Sequence, residues 1–399
     1  MTNSDITTVF DACTPRQDVI AGDIPEDQFA ASIDSVAHSA NAPDVYANPK
    51  RFFEKTYPTD GIQDLLTRLT TRFVYDNKSD EHSGTHGIIR LDTSFGGGKT
   101  HTEIAAYHLA TQPDKIKNLD AYLKSADEEE EKTSEELANE YLEQTALGLD
   151  VNTSVIVGAE VDARNARCDM VDHDAPATKT LWGEMAYQLL GQEGYEFLRE
   201  YDEKQLAPGA NTLTELFNMD DNPSLVMLDE IAAYMTQASG LAQGIEDAGS
   251  LDVADEAVVG DSTLAEQTNA FLMALLSATE NNDHVTVVLS IADTAFEEQA
   301  EDVRRLLTEI TDEFNSIADR TEQSVTPTED TEIASVLRHR LFEDIDEGKR
   351  DQIVDKYLDH YNSNRSSFPD LEDETDDVTL EERLKNSYPF HPTTIDNLT

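Results

Sequence analysis

The sequence predicts an α/β fold: a parallel, doubly wound sheet flanked by helices and followed by a small all-helical domain. Two patterns predict the sheet and its flanking helices, here called the α/β layer. Apolar strand candidates alternate with stretches of helical periodicity, and one strand candidate leads into a glycine loop that ends in Gly-Lys-Thr and then into a helix. A third pattern predicts the last domain, because only helical periodicity occurs after Pro327. We therefore predict an N-terminal segment at 1–55, the α/β domain at 56–327 and the helical domain at 328–399.

Five short segments are apolar and rich in β-branched residues, as expected for strands buried on both faces of a parallel sheet. They lie at residues 86–92, 154–159, 225–230, 285–293 and 323–326. An amphipathic helix is predicted after Pro58, and further helices at 180–190, 264–279 and 296–317. Two acidic insertions, near 114–150 and 244–261, interrupt this order; the second has the composition of a flexible loop.

The segment after the first strand has the composition of a phosphate-binding loop. Its glycines let backbone N–H groups close around phosphates, Lys99 reaches the terminal phosphates, and the Thr100 hydroxyl binds Mg²⁺. The start of the following helix adds partial positive charge. The predicted nucleotide contacts are Thr93, Ser94, Phe95, Gly96, Gly97, Gly98, Lys99, Thr100 and His101. Thr93 stands where the usual pattern has glycine, which affects loop shape and affinity. The alternative is a purely structural, glycine-rich turn in which the Gly-Lys-Thr sequence occurs by chance.

A second strand candidate runs into the carboxylates of Asp229 and Glu230, where a parallel strand would meet the same ligand. We predict that Asp229 binds Mg²⁺ and that Glu230 activates the attacking water. The alternative is a strand that ends in two solvated acids. Ser290 or Asp293, at the tip of the strand candidate at 285–293, could contact the γ-phosphate or the attacking water. For either residue, a buried side chain bonded to backbone is an equal alternative.

The net charge restricts the classes of partner. The chain has 82 Asp and Glu against 29 Lys and Arg, a formal charge of −53, spread along its length. Such repulsion disfavours a compact state unless salt screens it, and the Debye length falls to about 3 Å near 1 M salt. We therefore predict a halophilic protein. A disordered acidic protein is excluded because 38% of the residues are hydrophobic. No run of Lys and Arg exists, so any contact with DNA is expected to be indirect.

Several other site classes find little support. Cys13 and Cys168 form neither a disulfide framework nor a metal motif. His101 and His108, seven residues apart on one predicted helix, are expected to be core or surface residues rather than metal ligands. No apolar stretch approaches 18 residues and no signal segment opens the chain, so we expect a soluble, cytoplasmic protein without membrane contact.

With these motifs assembled, the chain resembles AAA+-type ATPases, and more closely the large prokaryotic ATPases classed as domain of unknown function 499. The segments that carry the resemblance lie at residues 57–59, 94–101, 180–184, 228–230, 337–342 and 388–392. The resemblance implies ATP and Mg²⁺ as cofactors, and a motor or switch subunit of a DNA-related defence system. DNA methyltransferase- or helicase-type proteins would be its partners. A low-turnover ATP-binding scaffold or signalling switch is the alternative.

The resemblance also implies an assembly. In AAA+ rings an arginine near the end of the helix before the fifth strand acts across the subunit interface, which implies a homo-oligomer. Arg320 holds that position, and Arg304 and Arg305 are the alternatives. The non-functional alternative is a surface arginine that forms ion pairs with acidic residues. The helical domain corresponds to an AAA+ lid that is expected to be truncated at Thr399.

Overall fold

The protein is described by a computed structural model. It describes residues 9–21, 31–74, 86–92, 98–124, 132–163, 165–168, 175–248, 258–259, 262–290, 301–318, 324–329, 332–364 and 377–397. The chain divides into two compact units. The sheet unit comprises Ala31–Phe52 and Asp60–Pro327, and the terminal unit comprises Met1–Ala30, Phe53–Thr59 and Thr328–Thr399.

The described residues form strands and helices, numbered here in chain order. The strands are β1 (Cys13–Pro15), β2 (Ile88–Leu91), β3 (Asn152–Val157), β4 (Ser224–Asp229), β5 (Val258–Val259), β6 (Ser262–Thr263), β7 (Val285–Ser290), β8 (Ser324–Val325) and β9 (Phe342–Ile345). The helices are α1 (Val9–Ala12), α2 (Gln17–Ala21), α3 (Ile33–His38), α4 (Asp44–Ala47), α5 (Pro49–Lys55), α6 (Asp60–Phe73), α7 (Lys99–Thr111), α8 (Ser134–Ala146), α9 (Leu181–Glu203), α10 (Ala210–Phe217), α11 (Ile231–Ala248), α12 (Leu264–Glu280), α13 (Glu301–Ala318), α14 (Ile333–Leu341), α15 (Glu347–Ser363), α16 (Asp377–Ser387) and α17 (Pro392–Asp396).

A five-stranded parallel sheet is the centre of the sheet unit, with the order β3-β4-β7-β2-β8. Each of the five predicted strand segments contributes one strand, so the mixed α/β layer is confirmed. Strands β2 and β7 are buried along their whole length, which explains their apolar, β-branched sequences. Trp182 and Phe271 pack together in the largest described core, which lies between the sheet and helices α9 to α13.

Local capping fixes where the helices begin. Thr263 forms a capping box with Glu266 at the start of α12, the arrangement that satisfies the first unpaired N–H groups of a helix. Helix α9 starts after Thr180, turns back on itself at Gly191 and brings the buried Asp202 to its own start. The Asp202 carboxylate accepts bonds from the Thr180 N–H (2.9 Å) and hydroxyl (2.6 Å). A buried acid therefore closes this helical hairpin.

A buried arginine joins helix α6 to the amino end of the sheet. The Arg72 side chain donates to the carbonyl oxygens of Val285 (2.7 Å) and Asn282 (3.1 Å) and to the Thr286 hydroxyl (3.0 Å). Burial lowers the pKa of its guanidinium to about 10, against the opposing effect of Asp283. The hydrogen bonds compensate the loss of water around the charge.

The terminal unit corrects one prediction. Residues 328–399 are not all helical, because the helical pattern of α14 ends at Leu341 and the next four residues form β9. That strand pairs antiparallel with β1, and Cys13 lies opposite Ile345. Its partner lies more than 300 residues away in the sequence, so local periodicity could not reveal it. Residues from both ends share one core, formed by Ala12, Cys13, Ile353, Val354, Leu380, Leu384 and Tyr388.

Other predicted segments differ in detail. Residues 1–55, treated as one N-terminal segment, divide between the two units. In the first acidic insertion, 3-10 turns form at Pro113–Lys115 and Leu119–Tyr122, before α8. In the second insertion, predicted to be a loop, residues 244–248 belong to helix α11 and Val258–Val259 form strand β5.

Candidate functional site

The sheet changes its winding direction at the predicted site. After β2 the chain crosses to β3, at one edge of the sheet. After β7 it crosses in the opposite direction, past β2, to β8 at the other edge. Neighbouring strands whose connections diverge in this way leave a crevice outside their carboxyl ends, which is where open α/β sheets bind ligands. Leu91 of β2 pairs with Ser290 of β7 at this point, and Asp229 ends the adjoining strand β4. The strand order alone therefore brings the predicted tips together.

The helix after the glycine loop begins beside this crevice. Gly98 adopts a left-handed backbone with φ of 87° and precedes Lys99, the first residue of α7. A side chain at position 98 would be strained in this conformation, so glycine is required there. Lys99 and Thr100 are half-buried. The predicted contacts at residues 93–97 lie outside the described residues.

Asp229 is half-buried and held by several donors. Its Oδ1 accepts the Glu230 N–H at 2.9 Å, and its carboxyl also shares hydrogen bonds with the side chains of Ser290 and Glu103. Burial raises the pKa of Asp229, and these hydrogen bonds together with the charge of Lys99 oppose the rise. Ser290, which sequence reasoning left between a ligand contact and a structural hydroxyl, thus contacts the carboxylate of the adjoining strand.

Glu230 differs from its neighbour in exposure and in backbone conformation. It is exposed, and its φ of 49° places a residue other than glycine in the left-handed region, which costs of order 1–3 kcal/mol and is typical of functional sites. Burial, followed by the charges of Asp229 and Glu160, raises the pKa of its carboxyl. A raised pKa is the direction that suits a general base.

Glu103 is a member of the site that sequence reasoning missed. It lies on α7, is 2% exposed, and its side chain hydrogen-bonds to Asp229. Burial, reinforced by Asp229, raises the pKa of Glu103 well above its usual value. Its Oε2 atom has no hydrogen-bond partner among the described residues. The available signal was an acid directly before the apolar run Ile104–Ala105–Ala106 of the predicted helix, and those residues are buried.

Lys99 connects these acids. Its charge lowers the pKa of Glu103, Asp229 and Glu230, but burial has the larger effect and keeps all three raised, reinforced at Glu103 and Glu230 by the charge of Asp229. Three carboxyls and one ammonium group at the end of a parallel sheet can orient a water molecule and accept a proton.

The remaining predicted residues lie elsewhere or are not described. The ring of His101 packs against Phe52, with ring centroids 4.4 Å apart. His108 is buried, and its Nε2 lies 2.7 Å from the Tyr46 carbonyl oxygen, so it is a core residue as expected. Arg305, on α13, lies 3.9 Å from Glu266. Arg320 and Asp293 lie outside the described residues, and Arg304 is exposed on α13.

The described residues lack both a membrane-spanning helix and a self-sufficient cluster of metal ligands. No described helix is long and apolar enough to cross a membrane. Within the same ranges, no group of three or more His, Cys, Asp or Glu side chains could hold a metal ion unaided.

Comparison with known families gives two matches. A model described as the DUF499 N-terminal domain matches residues 14–323. A model described as the DUF499 second domain matches residues 328–399. No curated protein and no solved structure gives a significant match. The two matched segments meet near Pro327, where the sheet unit also ends.

Proposed function

The chain belongs to the DUF499 family, and we propose that it binds and hydrolyses ATP at the carboxyl end of its parallel sheet. One observation carries the proposal. The helix that begins with Lys99, directly after the glycine loop, starts within electrostatic reach of Asp229 and Glu230 on another strand. A lysine at a helix start and acids at a strand tip are the two halves of a nucleoside-triphosphate site.

In this proposal each residue has a role that follows from its position in the site. Lys99 and the loop at residues 93–98 bind the phosphates, with the start of α7 directed at the same anion. Glu230 is the general base: its exposed carboxylate accepts the proton of the attacking water, and its raised pKa favours that transfer near neutral pH. Ser290 donates to Asp229 and so fixes the carboxylate next to the base.

The donor set fits Mg²⁺. Asp229 and Thr100 supply a carboxylate and a hydroxyl oxygen, and magnesium at phosphate sites takes one or two carboxylates and completes its shell with phosphate and water. This is consistent with the lack of a self-sufficient metal cluster among the described side chains. When bound, the ion would neutralise charge on the β- and γ-phosphates.

We further propose that this ATPase is of the AAA+ type and serves a DNA-related defence system. The switch point between β7 and β2, and the separate domain after Pro327, support the first part. In this scheme residues 328–399 are the lid and Arg320 acts on a neighbouring subunit of a homo-oligomer. The net charge of −53 favours contact with DNA through methyltransferase- or helicase-type partner proteins.

The test compares two variants in molar KCl. Lys99→Ala removes the phosphate-binding cation, so ATP binding measured by calorimetry should disappear. Glu230→Gln removes the base, so ATP should still bind while turnover falls at least about 10²-fold. Normal ATP affinity in Lys99→Ala would contradict the site. Tight ATP binding with sub-stoichiometric hydrolysis by the wild type would favour the scaffold or switch alternative.

A further inference from the structure

The backbone at Glu230 is fixed by an unusual set of contacts. Its own N–H donates to Asp229 Oδ1 at 2.9 Å, and its carbonyl accepts the Ala233 N–H at 2.9 Å. The preceding carbonyl, of Asp229, accepts the Gly158 N–H at 2.8 Å. These bonds hold Glu230 at its φ of 49°, a conformation that an unconstrained glutamate rarely adopts.

Gly158, the residue after β3, makes the closest approach to this turn. A Cβ atom at position 158 would lie 2.5 Å from the Glu230 carbonyl oxygen and 3.0 Å from both the Glu230 carbonyl carbon and the Ile231 Cα. All three are backbone atoms, so none can move aside by rotating a side chain. Gly158 itself has no positive φ. Glycine is therefore required there for the contact and not for its own conformation.

We propose that Gly158 is a positioning residue for Glu230, which sets the direction of the base without touching the reacting atoms. The end of β3 lies directly against the Glu230 carbonyl and bonds to the carbonyl before it, which leaves the Glu230 side chain exposed beside Asp229. This inference rests on the proposed function, because it takes Glu230 to be the base. A side chain at 158 would displace that turn, and a displacement of about 1 Å at a reacting group can cost roughly 10²-fold in rate.

The first experiment measures Gly158→Ala by single-turnover ATP hydrolysis and by calorimetry. The catalytic rate should fall about 10- to 100-fold while the ATP dissociation constant changes less than about 2-fold, because Gly158 lies by the base and not on the phosphate loop. Gly240→Ala is the matched control: it adds the same methyl group to helix α11, where the new Cβ would meet no described atom within 4 Å beyond its chain neighbours and the backbone of its own helix. An unchanged rate in Gly158→Ala would overturn the proposal.

A double variant shows whether the effect passes through Glu230. In the Glu230→Gln background the base is already absent, so adding Gly158→Ala should lower the residual rate less than 2-fold. The same 10- to 100-fold loss in both backgrounds would mean that Gly158 acts by another route, and the proposal would fail.

A third measurement does not depend on activity or on the folding of Gly158→Ala. If the contacts at Gly158 hold position 230 in the left-handed region, Glu230→Gly should have a higher denaturant midpoint than Glu230→Ala, against the usual cost of glycine. The reverse order would overturn the backbone argument. A wild type that neither binds nor hydrolyses ATP would instead overturn the proposed function, and the midpoints would still distinguish the two failures.

Discussion

The two ends of the central sheet differ in how their buried ionisable side chains are hydrogen-bonded. At the amino end, Arg72 is buried and donates to two carbonyls and one hydroxyl around the start of β7. At the carboxyl end, Glu103 is as deeply buried, but it faces two further acids and leaves one oxygen without a partner among the described residues.

The comparison teaches how to separate structure from function in one sheet. A buried charge whose bonds are complete stabilises the fold, whereas like charges held together against their repulsion indicate a site that another molecule completes. Left-handed Glu230, at the same end as Glu103, adds backbone strain to that description. The predictions below test this difference.

The largest expected effect is at the amino end. Arg72→Met keeps the volume but leaves the carbonyl oxygens of Asn282 and Val285 without their donor. The free energy of unfolding should fall by about 3–5 kcal/mol, measured by urea denaturation. Arg199→Met is the control, because Arg199 is exposed and pairs with Glu196 at the surface, a pair worth about 1 kcal/mol at most. Equal losses in the two variants would contradict the comparison.

His108 is a second buried titratable side chain, and its effect on stability depends on pH. Burial lowers its pKa from 6.5 to about 4 in the folded state, so the unfolded chain binds the proton more readily between these values. Stability should therefore fall as pH decreases from 6.5 towards 4, by about 2 kcal/mol between pH 7 and pH 5. His108→Gln keeps a donor for the Tyr46 carbonyl and should remove this part of the pH dependence. Parallel stability curves for the two proteins would refute the assignment.

A smaller effect of opposite sign is expected at the carboxyl end. Glu103→Leu replaces an incompletely bonded buried carboxyl with an apolar side chain, so the free energy of unfolding should rise by about 1–2 kcal/mol. Because Asp229 loses its hydrogen-bond partner, ATP turnover should fall about 10- to 100-fold. Glu103→Gln keeps a donor for Asp229 and should retain more of the activity. A loss of stability in Glu103→Leu would show that this carboxyl is structural.

The smallest effect is the one that salt has on the stability differences between the variants, although salt strongly affects the wild type itself. The melting temperature of the wild type should rise steeply from 0.1 to 3 M KCl, because screening reduces repulsion in a chain of net charge −53. The free energy of unfolding of Arg72→Met or Glu103→Leu should differ from that of the wild type by nearly the same amount over that range. The change in this difference should be less than about 0.5 kcal/mol, because buried charges are screened little. A flat melting temperature would contradict the halophilic interpretation.

The sequence by itself determined the α/β layer and predicted the position of the candidate site. Strands buried on both faces have continuous apolar sequences, and a helix that follows Gly-Lys-Thr must begin at a strand tip, so both were readable from local patterns. The same reasoning named Lys99, Asp229 and Glu230, whose side chains the structure places within electrostatic reach of one another.

Tertiary structure alone decided the rest. The pairing of β1 with β9 joins residues more than 300 positions apart, and nothing in either segment specifies the other. Glu103 joins the candidate site because its side chain on α7 reaches Asp229 at the end of β4, and Glu230 is left-handed where Gly158 lies close to its carbonyl. Periodicity reports which residues are buried, whereas the partners of a buried group depend on contacts between segments distant in the chain.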